Sequence, residues 1–310
     1  MTALIIILII LAALCAILVY FFRLTCVAKK HRTTNDEMLA SRRKHLPTYA
    51  ADFEKGFAWA AAQESEEWEI TSYDGLKLRA DYIDHPERRA VIAMFHGYRS
   101  IPLGDFSVVM DYYYSLGYSL LLVHQRAHGK SEGKYITYGV RERFDCRDWC
   151  KKIDEMLPGV PVIMDGVSMG CSTVLGAAGL ELPDNVRGII ADCGFTSPGE
   201  IIAHVMKLWF KLPKFPFYYI MNGLCRLFAG FSFNEFSTVE AMKNNRLPID
   251  FIHGKDDDFV PPEMTVRAYE ACTASKRLTI VEKAGHGESY LVDRENCKKS
   301  LVEFIESNIK

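Results

Sequence analysis

The chain has 310 residues, 49% of them hydrophobic and 25% charged, and a net charge of −2. This is a globular composition with enough chain for one large α/β domain, and its near-neutral balance excludes the basic stripe that nucleic-acid binding requires. Its nine cysteines are odd in number and scattered, which predicts free thiols and suits a reducing compartment. No zinc-type Cys/His spacing occurs, and Cys146 and Cys150, four apart on a helical pattern, read as packing residues.

The chain opens with an unbroken run of twenty apolar residues, Ala3 to Phe22. As a helix it would span roughly 30 Å, the thickness of a bilayer core. No Lys or Arg precedes the run, and the exit Tyr20-Phe21-Phe22-Arg23 lacks the small residues of a cleavage site, so it reads as an uncleaved single-pass transmembrane helix, with a buried helix of a soluble protein as the alternative. Arg23, Lys29, Lys30 and Arg32 follow it, and the positive-inside rule keeps that side, with the domain behind it, in the cytoplasm. Residues 1–32 are thus expected to be anchor and basic flank. Residues 33–66, polar with a weak helical pattern, are expected to form a juxtamembrane linker and helix.

From Trp68 the texture changes. Trp68–Tyr73 and Leu76–Ile83 read as a hairpin joined across Asp74-Gly75, a pair that favours the primed turn. Short buried-strand runs follow at Ala90–Phe95, Ser119–His124, Pro161–Met164, Val186–Ala191, Ile249–His253 and Leu278–Glu282. Between them lie helical patterns near 105–116, 140–156, 169–181, 262–273 and 293–308. Alternating strands and helices predict a mostly parallel eight-stranded sheet covered on both faces, over residues 67–310. The alternation breaks at about 196–247, an interval crowded with aromatics from Trp209 to Phe236. A connection this long predicts a helical lid insertion, with some aromatics lining an apolar pocket.

Within Val162–Cys171 a β-branched run enters Gly166-Val167-Ser168-Met169-Gly170 and a small-residue helical pattern follows. This strand–turn–helix context makes the G-x-S-x-G match a nucleophile elbow, in which the glycines permit the close approach that exposes Ser168 Oγ. A serine hydroxyl needs a base, and the base an orienting acid. Downstream histidines are His204, His253 and His286. His286, between glycines directly after the last strand, is the candidate base, whereas His204 falls within the lid and His253 within a strand end. The acid is to be sought after the penultimate strand, where Asp256, Asp257 and Asp258 are consecutive; Asp192, ending the preceding strand, is a further candidate.

These motifs resemble those of serine hydrolases of the α/β-hydrolase superfamily. His253-Gly254-Lys255-Asp256-Asp257-Asp258-Phe259-Val260-Pro261 is similar to its His-Gly-x-x-Asp-x-x-Val-Pro loop, which implies Asp257 as the acid. His96-Gly97-Tyr98 resembles the superfamily's His-Gly-x loop, which implies an oxyanion hole from the backbone N–H of Tyr98 together with that of Met169. Gln125-Arg126-Ala127-His128-Gly129-Lys130-Ser131 looks like the x-Arg-x-His-Gly-x-Ser loop of the monoacylglycerol-lipase-like and serine-aminopeptidase-like branches, but His124 stands where Asp is usual. The resemblance covers approximately Trp68 to Lys310.

The α/β-hydrolase resemblance implies a Ser168–His286–Asp257 acyl-enzyme mechanism on an ester or thioester, without cofactor or metal. Anchor and lid together point to a small-molecule ester or lipid with an apolar acyl group. Two other readings stand beside this one. One is an aminopeptidase-type peptidase, for which Glu200 or Glu235 would take a free α-amino group. The other is a catalytically silent binding scaffold.

Overall fold

The computed structural model describes Ile5, residues 16–29 and residues 31–310. Helix α1 covers residues 16–26. It is followed by α2 (Asn35–His45), α3 (Ala50–Ala61), β1 (Glu66–Thr71), β2 (Lys77–Ile83), β3 (Val91–Phe95), α4 (Pro102–Ser115), β4 (Ser119–His124), α5 (Glu142–Met156), β5 (Val162–Val167), α6 (Met169–Ala177) and β6 (Val186–Asp192). Then come α7 (Pro198–Phe210), α8 (Lys214–Leu224), α9 (Thr238–Lys243), β7 (Ile249–Gly254), α10 (Pro262–Ala271), β8 (Lys276–Val281), α11 (Ser289–Val292) and α12 (Arg294–Asn308).

The eight strands form one sheet in the order β1-β2-β4-β3-β5-β6-β7-β8. Pairs β1–β2 and β2–β4 are antiparallel and the others parallel. Strands β3, β4 and β7 are buried along their whole length, as expected of parallel strands covered on both faces. Successive residues serve opposite layers. Ala93 and Phe95 join Leu121, Val123, Met164 and Phe251 beneath Trp149 of α5 and Val174 of α6. Ile92 and Met94 join Leu120, Leu122 and Ile163 beneath Phe106 and Met110 of α4 and Phe304 of α12.

The β1–β2 turn differs from the expected primed turn. Thr71 pairs with Lys77, and Ser72 N donates to Leu76 O, so three residues, Tyr73 to Gly75, make the loop. The Ser72 hydroxyl explains the wider loop: it accepts from Leu76 N at 2.9 Å and donates to Asp74 Oδ1 at 2.7 Å, while Gly75 takes φ +86°.

Residues 35–61, expected as a linker leading into a helix, form two helices. A capping box at Thr34 and Glu37 starts α2, and Met38, Phe53 and Phe57 are buried. The interval between β6 and β7 folds into α7, α8, a π turn at Cys225–Ala229 and α9. Its buried Ile201, Ile202, Phe231 and Phe233 form a separate apolar cluster with Phe22 and Cys26 of α1.

Most of the Ala3–Phe22 run lies outside the described residues. Its described end buries Leu18 and Phe22 and leaves Ile17, Val19 and Tyr20 exposed. Among the described residues no helix is long and apolar enough to cross a membrane. The eight described cysteines are free and buried.

Asp165, on β5 beneath α4, is buried with one partner on α4, the Tyr113 hydroxyl at 2.9 Å. Burial pushes its carboxyl up to about 7. The folded chain therefore holds a proton that the unfolded chain releases near pH 4, and stability falls as pH rises from there to about 7. Denaturant unfolding across this range is expected to show Asp165→Asn gaining on the wild type as pH rises, with the difference smallest at pH 4.

Candidate active site

Four strand ends deliver the site to one edge of the sheet. Ser168 follows β5, Asp257 the end of β7, His286 the end of β8, and Tyr98 lies three residues beyond β3. Ser168 has φ +57° and ψ −114°, a region costly for a residue with a side chain. Packing imposes it. A Cβ on Gly170 would stand 1.7 Å from Phe95 O, and one on Gly166 would stand 2.5 Å from Gly170 O, so α6 lies against β3 and β5 as closely as bare backbone allows. Ser168 N donates to Asp192 O at 2.9 Å, which holds the turn from the neighbouring strand.

The structure brings Ser168, His286 and Asp257 together. Ser168 Oγ lies 2.8 Å from His286 Nε2, and His286 Nδ1 lies 2.7 Å from Asp257 Oδ2. Asp257 is the buried member of its acidic triplet, and Asp256 and Asp258 are exposed. Asp192 accepts from Ser289 Oγ at 3.4 Å instead. Asp257 Oδ1 accepts from Phe259 N at 3.0 Å and Val260 N at 2.8 Å. His253 stands behind it: its Nε2 lies 3.0 Å from Asp257 Oδ2 and 2.9 Å from Val260 O, and its Nδ1 is 2.7 Å from Thr265 Oγ1. Burial would raise the Asp257 carboxyl, but the hydrogen bonds from His253 and His286 outweigh it and hold the group well below the usual carboxylate range. His204 lies on α7, 3.5 Å from Asp258 O and away from this relay.

The N–H groups of Tyr98 and Met169 have no hydrogen-bond acceptor among the described residues. The loop bearing Tyr98 is fixed by buried neutral imidazoles. Burial pushes His96 down to about 4 and His128 well below its ordinary range. His96 Nε2 accepts from Gln125 N at 3.2 Å, which leaves Nδ1–H to donate to Gly97 O at 2.8 Å. His128 Nε2 likewise accepts from Arg99 N at 3.0 Å, while its Nδ1–H donates to Arg126 O at 2.9 Å. His124, the departure from the usual Asp, lies 3.1 Å from Asp81 on β2 and keeps a polar contact at that position.

Sequence reasoning missed Asp105 and Arg42. Asp105 Oδ2 accepts from Gly97 N at 2.6 Å, and its Oδ1 accepts from Ser100 Oγ at 2.7 Å and from Arg42 of α2. Arg42 also donates to Gly104 O at 2.9 Å. No motif marks them: Arg42 reaches Asp105 from α2 across 63 residues, and Asp105, eight residues from Gly97, belongs to no recognised spacing.

Ser168 faces two chambers. One, of about 330 Å³, is almost wholly apolar, with Ile202, Val205, Trp209 and Phe210 of α7 in its wall. The other, of about 240 Å³, is lined by Arg42, Asp105, Phe53 and Leu291. Phe259 borders both, packs edge-on to His286 at 4.9 Å and stacks on Trp209 at 5.1 Å. Cys193, Asp257 and His286 offer possible metal-ligand atoms within 4.8 Å of one another. Asp257 and His286 are, however, already bonded to each other at 2.7 Å in the relay with Ser168. The arrangement suits proton transfer from Ser168 to His286 beside two N–H donors.

Residues 86–224 match the family described as serine aminopeptidase, S33. The Bacillus subtilis protein YqkD is 29% identical over 77% of this chain and 78% of its own. A Saccharomyces cerevisiae protein described as an uncharacterized membrane protein is 24% identical over 62% of this chain and 63% of its own. An esterase of Pyrococcus furiosus superposes with a TM-score of 0.67 at 25% identity, over 81% of this chain and 94% of the esterase. The chain has the α/β-hydrolase fold, and these likenesses support a hydrolase of the serine type.

Asp105→Ala removes the acceptor that holds Gly97 N. It is expected to lower kcat by roughly 10- to 100-fold with little change in KM, as the Tyr98 amide leaves its position. Steady-state kinetics on a short soluble ester checks this; a rise in KM at constant kcat would contradict it.

Proposed function

We propose that the protein is a serine hydrolase that cleaves a carboxylic ester or thioester with an apolar acyl group. The observation that carries this reading is the Asp257–His286–Ser168 relay, which opens beside two unpartnered N–H groups onto an apolar chamber. Ser168 Oγ attacks the carbonyl carbon as His286 Nε2 takes its proton. The carbonyl oxygen, now anionic, is held by the Tyr98 and Met169 amides, and Asp257 stabilises the imidazolium. Collapse breaks the bond to the alcohol or thiol, which leaves with the proton from His286. Water then attacks the acyl-enzyme, gives its proton to His286, and Ser168 is regenerated as the acid departs.

The peptidase alternative draws on the serine aminopeptidase, S33 match. It needs an acidic group free to hold an α-amino group. Glu200 is instead paired with Arg267 at 2.6 Å, and Glu235 accepts from Ser232 N at 2.5 Å. The ester reading is therefore preferred. The test is a panel of p-nitrophenyl esters of rising chain length beside aminoacyl-anilides. Esters are expected to be cleaved, with Ser168→Ala inactive and Asp257→Asn lower in kcat on the order of 10⁴-fold. Cleavage of the anilides alone would overturn the reading.

Membrane association is part of the same proposal. The Ala3–Phe22 run supplies an anchor, and the lid exposes Trp209, Phe215, Leu227 and Phe228. Between Glu200 and Glu235 the charged residues are Lys207, Lys211, Lys214 and Arg226, all basic, which suits an anionic lipid surface. The related yeast protein is described as a membrane protein. With Arg23 and Lys29 following the run, the domain faces the cytoplasm. A reporter fused after Lys310 is expected to be active only in its cytoplasmic form; activity only of an exported form would contradict this orientation.

A further inference from the structure

The apolar chamber is not closed by the lid alone. Leu24 and Thr25, at the end of α1, form part of its wall. These residues precede the region matched by the family, which begins at residue 86. They are also fixed in place. The last carbonyls of a helix have no partner within it, and at the end of α1 they are taken by the loops around Ser168. Thr25 O accepts from the hydroxyls of Tyr98 at 2.8 Å and Tyr138 at 2.9 Å. Arg99 Nη2 donates to Leu24 O at 2.7 Å and to Val27 O at 2.9 Å, and Arg99 Nε donates to Tyr98 Oη at 2.7 Å. Cys26 O accepts from Ile136 N, and Ala28 N donates to Lys134 O, both at 2.8 Å. The Tyr98 and Tyr138 rings stack at 5.3 Å.

Two features make this more than a tether. Tyr98 carries both the clamp and the amide assigned to the oxyanion hole, so its side chain and its N–H serve opposite ends of one residue. Across the chamber, Phe21 packs edge-on to Phe210 of α7 at 4.6 Å. The α1 segment thus bridges the oxyanion loop and the lid over the space beside Ser168.

We propose that residues 16–29 are a structural wall of an acyl-chain site, and that Leu24 and Thr25, positioned by Tyr98, Arg99 and Tyr138, set a preference for long over short acyl groups. The inference rests on the serine-hydrolase reading and adds to it a specificity element from outside the sheet domain. Tyr98, Arg99 and Tyr138 also line the chamber, and through their bonds to the α1 carbonyls Tyr98 Oη and Arg99 act as positioning residues as well.

The test uses the full chain in a fixed detergent micelle and compares rates of Ser168 labelling by ethyl and decyl fluorophosphonates. It needs no turnover and no leaving-group preference. Wild type is expected to react faster with the decyl probe. Tyr98→Phe keeps the amide and loses the hydroxyl, and Arg99→Ala frees two carbonyls; each is expected to lower the decyl-to-ethyl ratio about two- to tenfold, the scale of one or two lost hydrogen bonds. Leu24→Trp is expected to narrow the chamber and lower the same ratio. A purely structural role would slow both probes equally and leave the ratio fixed. A ratio unchanged in all three variants, or near one in the wild type, overturns the proposal while labelling itself upholds the hydrolase reading. If neither probe labels Ser168, that reading falls and this one with it.

Discussion

The site depends on one close contact, the seating of α6 against β3 at Gly170. There the helix backbone touches the carbonyl of Phe95 with no room for a side chain. The contact leaves the chain too little length to leave β5 gently, and Ser168 absorbs the turn at φ +57°. Such a conformation costs on the order of 1–3 kcal/mol, which the packed layers around it must outweigh. In return, Ser168 Oγ reaches His286 Nε2, Met169 lines the same chamber as Ser168, and strand ends β3, β7 and β8 lie within reach.

Charge around the serine is sparse and placed with care. His96 and His128 are held neutral by burial, and each uses one ring nitrogen to accept and the other to donate. They shape the loop bearing Tyr98 without adding positive charge to it. Asp257 is kept ionised by its two histidine partners and two backbone N–H groups. In this relay His253 holds the acid and His286 meets the serine. The same residue type at the ends of neighbouring strands thus does different work, decided by which partner each ring can reach.

Much of this was legible in the sequence, because the relevant signals are local. Eight strand runs, a G-x-S-x-G turn between strand and helix, and a histidine between glycines after the last strand depend on residues close together in the chain. The acid was harder. Three adjacent aspartates look alike by position, and only the resemblance separated Asp257; in the structure it is the one whose side chain turns inward. The Ser72 hydroxyl widened the first hairpin beyond what Asp74-Gly75 alone suggested. Residues 35–61 gave a weak pattern because α2 buries a single side chain, Met38. Arg42 and the α1 carbonyls left no trace in the sequence, since each meets a partner more than sixty residues away, and Asp105, though only eight residues from Gly97, makes polar contacts that follow no spacing rule.

The central claim is that Ser168 forms a covalent acyl intermediate. Rapid-quench mass spectrometry of the full chain with a p-nitrophenyl ester tests it most directly. The account predicts a p-nitrophenol burst stoichiometric with enzyme and an acyl adduct on the peptide carrying Ser168. Steady ester turnover with no adduct, or an adduct on another residue, would contradict it.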